Sequence, residues 1–234
     1  MKTLYAALGL FLATCTGLTA QAAELPNHIS ASYAIFKKGQ QVGEVKEDWQ
    51  RKGKTYTLVS ETRAVGIFAW FTKGSMKMIS RGRINADGLQ PLRFEHWRGS
   101  DANRMISADF DWNKHVLTLK HDGQTSTEPL PAKLQDRISM MYQFMFLPHN
   151  KDALTLQNTN GKSIITQKFI QAGLEKTVTG AGEMTVLHYS RQQEKDSDRA
   201  DFWLAPEKHF FPVRVEIEEK DGTLEQVLTH LTIK

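Results

Sequence analysis

Along most of the chain, hydrophobic and polar residues alternate in short runs that end at turn dipeptides. The clearest run covers 211–219, where Phe211 and Val213 would face one side of a strand and Arg214 the other. Asp-Gly and Asn-Gly pairs, typical of two-residue hairpin turns, separate several of these runs. Turn signals recur about every ten residues, as in an antiparallel sandwich or barrel. The pattern predicts further strands near 28–37, 42–51, 54–64, 74–85, 89–98, 104–112, 115–121, 163–170, 174–179, 184–191, 199–204 and 224–233.

One segment, 134–147, departs from this alternation because its apolar residues recur with a helical period. Pro131 precedes the segment, Pro148 ends it, and Asp136 is placed to cap its first turn. Apolar residues would cover much of the circumference of this helix, which predicts that it is buried. We therefore expect a mainly β fold, a single-domain antiparallel β-barrel or half-barrel closed over one buried apolar helix.

The first 22 residues have the three parts of a secretory signal peptide. Lys2 supplies a positive start, an apolar stretch covers 4–18, and Ala20-Gln21-Ala22 fits the small-x-small cleavage rule. We expect residues 23–234 to form a single exported β-rich domain in the periplasm. No later stretch approaches the length of a transmembrane helix, so none is expected in the mature chain.

The chain has a single cysteine, Cys15, inside the predicted signal peptide. Cleavage after Ala22 would leave a mature chain without a thiol, and hence without a disulfide or a cysteine nucleophile. The alternative is a lipoprotein acylated at Cys15. Thr14 fits poorly before such a cysteine, and the downstream Ala-x-Ala site is good, so we favour cleavage.

Charge and motif content argue against several classes of function. Thirty basic against 26 acidic residues give a net charge of +4, which is too small an excess to predict nucleic-acid binding. No histidine spacing typical of a metal site and no G-x-S-x-G elbow occur. Gly161-Lys162-Ser163 lacks the first glycine of a phosphate-binding loop, with Leu156 in its place. We expect no catalytic residue, no metal and no cofactor, and therefore no enzyme.

Aromatic and methionine side chains provide a candidate ligand surface. The segment 65–71 carries three aromatic residues between two predicted strands, which indicates either an apolar loop over a cavity or a plug at the barrel end. Methionines on the next strand and on the helix would suit varied acyl chains, although methionine also fills irregular cores. The candidate ligand-binding residues are Phe68, Trp70, Met76, Met78, Met141, Phe144 and Met145.

A positive stripe lies opposite the strand methionines. Lys73, Lys77, Arg81 and Arg83 share the other face of the same strand. Such a stripe could contact lipid phosphates or an acidic partner, but Lys and Arg also keep exposed strands soluble and prevent edge pairing. We name Lys77, Arg81 and Arg83 as the candidate partner-binding residues.

These features support two functional hypotheses. The first is a periplasmic, non-catalytic binding protein for a lipid, an acyl chain or another amphipathic molecule, held between the helix near Met141 and the loop near Phe68. The second is a ligand-free envelope-assembly module that contacts a protein partner through a sheet edge or the basic stripe. The first requires a hollow barrel, whereas small barrels are often filled by their own side chains.

Several short motifs, taken in their order along the chain, resemble those of a known exported family. They are the segment 82–92 ending in Leu89-Gln90-Pro91-Leu92, the helix opening Asp136-Arg137-Ile138-Ser139, Phe202-Trp203-Leu204-Ala205-Pro206, and Phe211-Pro212-Val213-Arg214-Val215. The resemblance is to the bacterial domain-of-unknown-function family 3108, and it extends from about His28 to the C-terminus. It implies an exported, sheet-rich domain and brings no established activity, cofactor or catalytic residue.

Overall fold

The computed structural model describes residues 25–70, 75–99, 105–191 and 199–234. The predicted signal peptide, with Cys15, and Lys73 of the basic stripe lie outside these ranges. Within them, the alternating runs form strands, as their period of two predicts. The strands are β1 (His28–Lys37), β2 (Gln40–Lys52), β3 (Thr55–Ala64), β4 (Met76–Asn85), β5 (Gly88–Arg98), β6 (Ile106–Asp111), β7 (Val116–His121), β8 (Gln124–Pro129), β9 (Gln135–Asp136), β10 (Ala153–Thr159), β11 (Ile164–Thr179), β12 (Gly182–Arg191), β13 (Ala200–Ala205), β14 (Phe211–Glu219) and β15 (Gly222–Ile233).

The described strands form one large, curled sheet in which most neighbours in sequence are also neighbours in space. Strands β1 to β8 follow one another on one side, and β15 back to β9 follow on the other, with β1 paired to β15 between them. All pairs are antiparallel except the short pair of β9 and β10. The two outermost strands, β8 and β9, do not pair with each other. The sheet is therefore barrel-like but not closed, so of the two predicted forms, barrel and half-barrel, the closed barrel is wrong.

Side-chain contacts bring the two ends of the open sheet together where hydrogen bonding does not. The turn between β10 and β11 reaches β6, so closely that a Cβ on Gly161 would lie 2.4 Å from Cγ2 of Ile106. In the same turn, Lys162 Nζ lies 2.8 Å from a carboxylate oxygen of Asp122, in the turn between β7 and β8. We call this region, where the two ends of the sheet approach each other, the seam.

The predicted helix over 134–147 is much shorter in the structure. Only Ser139–Gln143 is α-helical (α1), and Phe144–Phe146 continues it as a 3-10 turn. Gln135–Asp136 is extended because it pairs with β10 as β9. Hydrogen bonds from the next backbone N–H groups to the Asp136 side chain then start the helical turn later than the apolar period predicts. In the described ranges, no helix has the length and apolar character needed to cross a membrane.

The segment around α1 is buried as predicted, between two clusters of apolar side chains. Ile138 and Tyr142 belong to a larger cluster that includes residues of β1 to β7 and β12 to β15. Met140 and Phe144 belong to a smaller cluster with residues of β10 to β14. The helix is apolar on opposite sides because it packs against both, so it fills the space that a hollow barrel would leave open.

Three strands were not predicted, including the two-residue β9 within the predicted helix, and one was predicted as two. β8 contains only polar residues and one proline, and all six residues are exposed, so no hydrophobic alternation marks it. β10 has buried residues at both ends and lacks a regular period of two. β11 is a single long strand whose pairing with β12 shifts register between Gln171 and Gly173, which interrupts the alternation and makes it resemble two strands.

Candidate functional site

A buried acid connects the central segment to the sheet. Both carboxylate oxygens of Asp136 are used: Oδ1 accepts hydrogen bonds from the backbone N–H groups of Ile138 (3.1 Å) and Ser139 (2.8 Å), and Oδ2 accepts one from the hydroxyl of Ser80 on β4. Ser80 in turn lies 3.0 Å from the hydroxyl of Tyr56 on β3. Burial raises the pKa of Asp136 to about 6, against these hydrogen bonds, which favour the charged form.

A second acid, Glu47, faces the interior from β2. Its carboxylate accepts hydrogen bonds from the hydroxyl groups of Tyr142 on α1 (3.1 Å) and Ser60 on β3 (3.2 Å). Burial raises the pKa of Glu47 to about 7, although both hydrogen bonds lower it. Glu47 lies between Val45 and Trp49 on the inward-facing positions of the strand, so the period-of-two pattern marks a carboxylate on an apolar face. That signal was available in the sequence.

The side chains of the central segment near these acids also pack in the core or bind the sheet, which indicates that the acids have a structural role. The ring of Tyr142 lies 6.1 Å from Trp49 and 5.4 Å from Phe211. Gln143, the next residue, uses its amide to donate to the Asp87 carbonyl (2.7 Å) and to accept from the Leu89 N–H (2.8 Å). The polar groups therefore fix the register of the central segment against β2 to β5.

A cleft opens where the central segment reaches the surface at the seam. It has a volume of about 530 Å³ and more apolar than polar surface. One wall is β10, whose residues 153–157 have no strand beside them on this side in the described chain, because β9 pairs only with 158–159. We call it the seam cleft; it is lined by Ala86, Asp87, Ala132, Lys133, Gln143, Phe146, Leu147, Pro148, Thr155, Leu156, Gln157 and Thr166.

Three other cavities lie among the described residues. One of about 500 Å³ includes Arg83, Asp109 and Trp112. Another, of about 400 Å³, includes Met184 and Leu231, and a third of about 300 Å³ adjoins the seam cleft. The walls of the first two expose more polar than apolar surface. The seam cleft is the largest of the four and has a predominantly apolar surface, so it fits an amphipathic ligand best.

The predicted ligand residues of the core do not form one surface. Met78 is buried in the larger cluster, and Phe144 is fully buried in the smaller one, where its ring lies 5.7 Å from Phe169. Met141 and Met145 are partly buried against these clusters. None of these four side chains lines the seam cleft, whereas residues 146–148, which follow Met145, do. Their role in ligand binding stays a prediction.

The remaining predicted ligand residues lie between the end of β3 and the start of β4. Met76 is partly buried at the start of β4, opposite Arg98 on β5. Phe68 is partly buried within the short 3-10 segment Gly66–Trp70, which contacts β2 and β3. The side chain of Trp70 lies outside the described part of the structure. A ligand-binding role for these residues also stays a prediction.

The basic stripe on β4 is largely paired with acids on adjacent strands. Lys77 Nζ lies 2.6 Å from Glu61 on β3, and Arg81 lies 3.0 Å from Glu95 on β5. Arg83 lies at the rim of the cavity of about 500 Å³. Exposed ion pairs of this kind contribute little to stability, so the basic side chains could leave them to bind acidic groups of a partner. The role of the stripe in partner binding stays a prediction.

The two C-terminal motifs form packing contacts in the structure. Trp203 stacks on His188, with ring centroids 4.6 Å apart, and the Arg214 guanidinium lies 4.8 Å from the Trp203 ring. Phe202 packs in the smaller cluster and Phe211 in the larger one. The motifs thus connect β12, β13 and β14.

Comparison with known proteins agrees with this architecture. Residues 29–229 match the family described as "Protein of unknown function (DUF3108)". The chain belongs to the DUF3108 family. The match covers almost the whole described chain, including the central segment and both motifs that contribute to the Trp203 stack. No curated protein matches this DUF3108 chain.

Three solved structures are similar to this chain to different degrees. A beta-barrel-like protein of the domain-of-unknown-function family DUF1849 from Brucella abortus superimposes with a TM-score of 0.57 at 10% identity, covering 90% of this chain and 99% of the other. A lipoprotein candidate from Parabacteroides distasonis gives 0.39 at 11% identity, covering 89% and 97%. A candidate exported protein with a YmcC-like fold from Bacteroides fragilis gives 0.37 at 15% identity, covering 88% and 96%. The first of these shows a barrel-like fold for the DUF3108 chain.

Proposed function

We propose that this DUF3108 protein is a periplasmic, non-catalytic binding protein that holds the apolar part of a lipid or another amphipathic molecule in the seam cleft. The observation that carries the proposal is the apolar wall of the cleft, formed by Phe146, Leu147 and Leu156 beside an unpaired stretch of β10. A concave site with a mainly apolar lining and a few polar groups is the usual form of a small-molecule site.

The size of the cleft suits part of a lipid rather than a whole one. Its volume of about 530 Å³ lies within the range of ligand-binding pockets. Each buried methylene contributes about 0.8 kcal/mol, so eight of them would contribute about 6 kcal/mol before the costs of binding. The amide of Gln143 is already bound to Asp87 and Leu89, so Thr155 and Gln157 are the lining residues that could hydrogen-bond a head group. We therefore expect one acyl chain in the cleft and the head group outside.

The interior of the curled sheet is a less suitable place for a ligand. The interior is filled by packed side chains, including those of Met78, Tyr142 and Phe144. A ligand would therefore have to displace the central segment to bind there. The proposed ligand contacts are consequently the residues just after α1 rather than those within it.

The test measures uptake of a fluorescent long-chain fatty acid by the wild type and by Ala132→Phe. Ala132 is exposed at the cleft, so a phenyl ring there fills the cleft without disturbing the core. We expect saturable binding by the wild type and a loss of about tenfold or more in affinity for the variant, equivalent to about 1.4 kcal/mol. Ala172→Phe, exposed on β11 outside the cleft, is the matched control.

Native mass spectrometry after gentle extraction gives an independent result. A retained lipid in the wild type, reduced in Ala132→Phe, would support the proposal. Recovery of empty protein that also takes up none of the added lipids would reject it, as would equal uptake by the wild type and Ala132→Phe.

A second candidate function, contact with an envelope protein, is favoured by the edge strand β8. All six residues of Gln124–Pro129 are exposed, and in the described chain β8 pairs only with β7. An unpaired edge of this length can accept a strand from a partner. A photo-crosslinker at Ser126 should then capture one dominant partner. Charge reversal of Lys77, Arg81 and Arg83 tests the basic stripe, and binding unaffected by these reversals would remove its proposed role.

A further inference from the structure

A buried histidine without a hydrogen-bond partner lies at the far end of β5. His96 is only 2% exposed, and its Nε2 atom has no hydrogen-bond partner in the described structure. In the sheet, His96 is opposite Met78 on β4 and Ile106 on β6. Leaving a buried polar atom without a partner costs on the order of 1–3 kcal/mol, so such an atom needs an explanation.

Two arginines flank this histidine. Arg98 is two residues further along β5, on the same face and about 7 Å away. Arg137 directly follows Asp136, which is bound to Ser80, two residues from Met78 on β4. Both arginines are exposed, and in the described ranges neither has an acidic partner. The carboxylate of Asp136 does not neutralise them, since its oxygens are used by Ser80 and by backbone N–H groups.

Strand pairing places the three residues near one another, because Ser80, which binds Asp136, is paired with Phe94, two residues before His96 on β5. Burial, together with the charges of Arg98, Arg137 and Lys162, lowers the pKa of His96 to about 4. Although part of Arg137 is open to solvent, the surrounding protein partly desolvates its guanidinium group, and this desolvation, followed by the charge of Arg98, lowers its pKa. Lys162 is already paired with Asp122, so the uncompensated charges are the two guanidinium groups. Two like charges held close together without an anion repel each other.

We propose that His96, Arg98 and Arg137 form a binding site for a phosphate group. Two guanidinium groups bind phosphate oxygens bidentately, and a phosphate dianion neutralises both. The Nε2 atom of His96 is covered in the ligand-free protein, and as its N–H tautomer it would donate the hydrogen bond that it otherwise lacks once neighbouring side chains move aside for the phosphate. This site lies at the opposite end of β5 from the seam cleft, and the proposal does not depend on ligand binding there.

The test titrates inorganic phosphate into the exported chain by calorimetry and follows the melting temperature at constant ionic strength. We expect saturable binding with an increase in melting temperature, and a loss of about tenfold or more in phosphate affinity for Arg98→Gln and for Arg137→Gln. Arg63→Gln is the matched control, because Arg63 is an exposed arginine on β3 paired with Glu44. His96→Phe, which keeps an aromatic ring but removes Nε2, should also weaken binding.

The phosphate-free melting temperature distinguishes a binding site from a structural role. Removing one of two mutually repelling charges should leave Arg137→Gln at least as stable as the wild type without phosphate, and should abolish its stabilisation by phosphate. A structural role would instead lower the melting temperature in both buffers. Phosphate affinities of the three variants equal to that of the wild type would overturn the proposal.

Vesicle co-sedimentation distinguishes a lipid head group from a free phosphate ester. Wild-type binding to phosphatidylglycerol vesicles but not to phosphatidylcholine vesicles, lost in Arg98→Gln and Arg137→Gln, would assign the site to an anionic lipid. Calorimetric phosphate binding without sedimentation would assign it to a soluble phosphate compound. No binding of either probe would reject the site.

Discussion

Asp136→Asn tests whether a buried, charged acid controls the stability of the central segment. The variant keeps the size and shape of the side chain and removes its charge. Its Oδ1 can still accept from the N–H groups of Ile138 and Ser139, and its amide can donate to the Ser80 hydroxyl. The main change is therefore the loss of a titratable group at a fully buried position.

The magnitude follows from the pKa of Asp136. Burial raises this pKa from 3.8 to about 6, and each unit corresponds to about 1.4 kcal/mol, so the effect amounts to about 3 kcal/mol. Because the folded state has the higher pKa, it binds the proton more tightly than the unfolded state. The contribution to stability is complete below about pH 4 and is lost as the pH rises to about 6 and above.

Urea unfolding at a series of pH values measures this contribution. Between about pH 4 and about pH 6, the unfolding free energy of the wild type should fall relative to that of Asp136→Asn, by up to about 3 kcal/mol. Asp152→Asn, on an exposed residue before β10, should parallel the wild type. A difference between wild type and Asp136→Asn that does not change with pH, or that changes in the opposite direction, would refute the reasoning.

Three further predictions concern the same interior. As the pH rises from about 4.5 to about 7, wild-type protein should lose about 1–3 kcal/mol of unfolding free energy through Glu47, the lower part of this range allowing for its partial exposure. Urea unfolding of Glu47→Gln should show no such loss. Phe144→Ala should cost about 3–5 kcal/mol, measured in the same way, with Phe144→Leu costing less. Gly88→Ala should lower the melting temperature by several degrees, because φ is +105° there and a Cβ would lie 2.5 Å from Gln143 Oε1. Wild-type melting behaviour of Gly88→Ala would contradict that close approach.

The sequence predicts most of the sheet because one physical signal, the alternation of apolar and polar residues, is local. β1, β12, β14 and their neighbours follow it within a few residues. β8 was not predicted because both faces of this edge strand are exposed, so its sequence shows no alternation of apolar and polar residues. Closure of the sheet is not predictable in this way, since it depends on whether β8 and β9 meet, and no local pattern encodes that contact.

The candidate site was harder to predict because its parts come from distant segments. Periodicity identifies the buried segment around α1, but it cannot show that Asp136 is paired with Ser80, 56 residues away. It also could not show that Gln143 shapes the seam cleft. The acids were detectable in principle, since a carboxylate at an inward-facing strand position is a conflict between local pattern and burial, and such conflicts indicate structural networks or functional sites.

The open sheet and the polar interior are connected by a single requirement. A sheet whose edges do not pair needs another element to hold its two ends together, and the segment with Asp136 and Gln143 does so through hydrogen bonds to β4 and β5. The same Gln143 lines the seam cleft, so a ligand bound there would contact the element that joins the two halves. Ligand binding should then stabilise the folded chain as a whole, because opening of the seam would require release of the ligand as well as breakage of these hydrogen bonds.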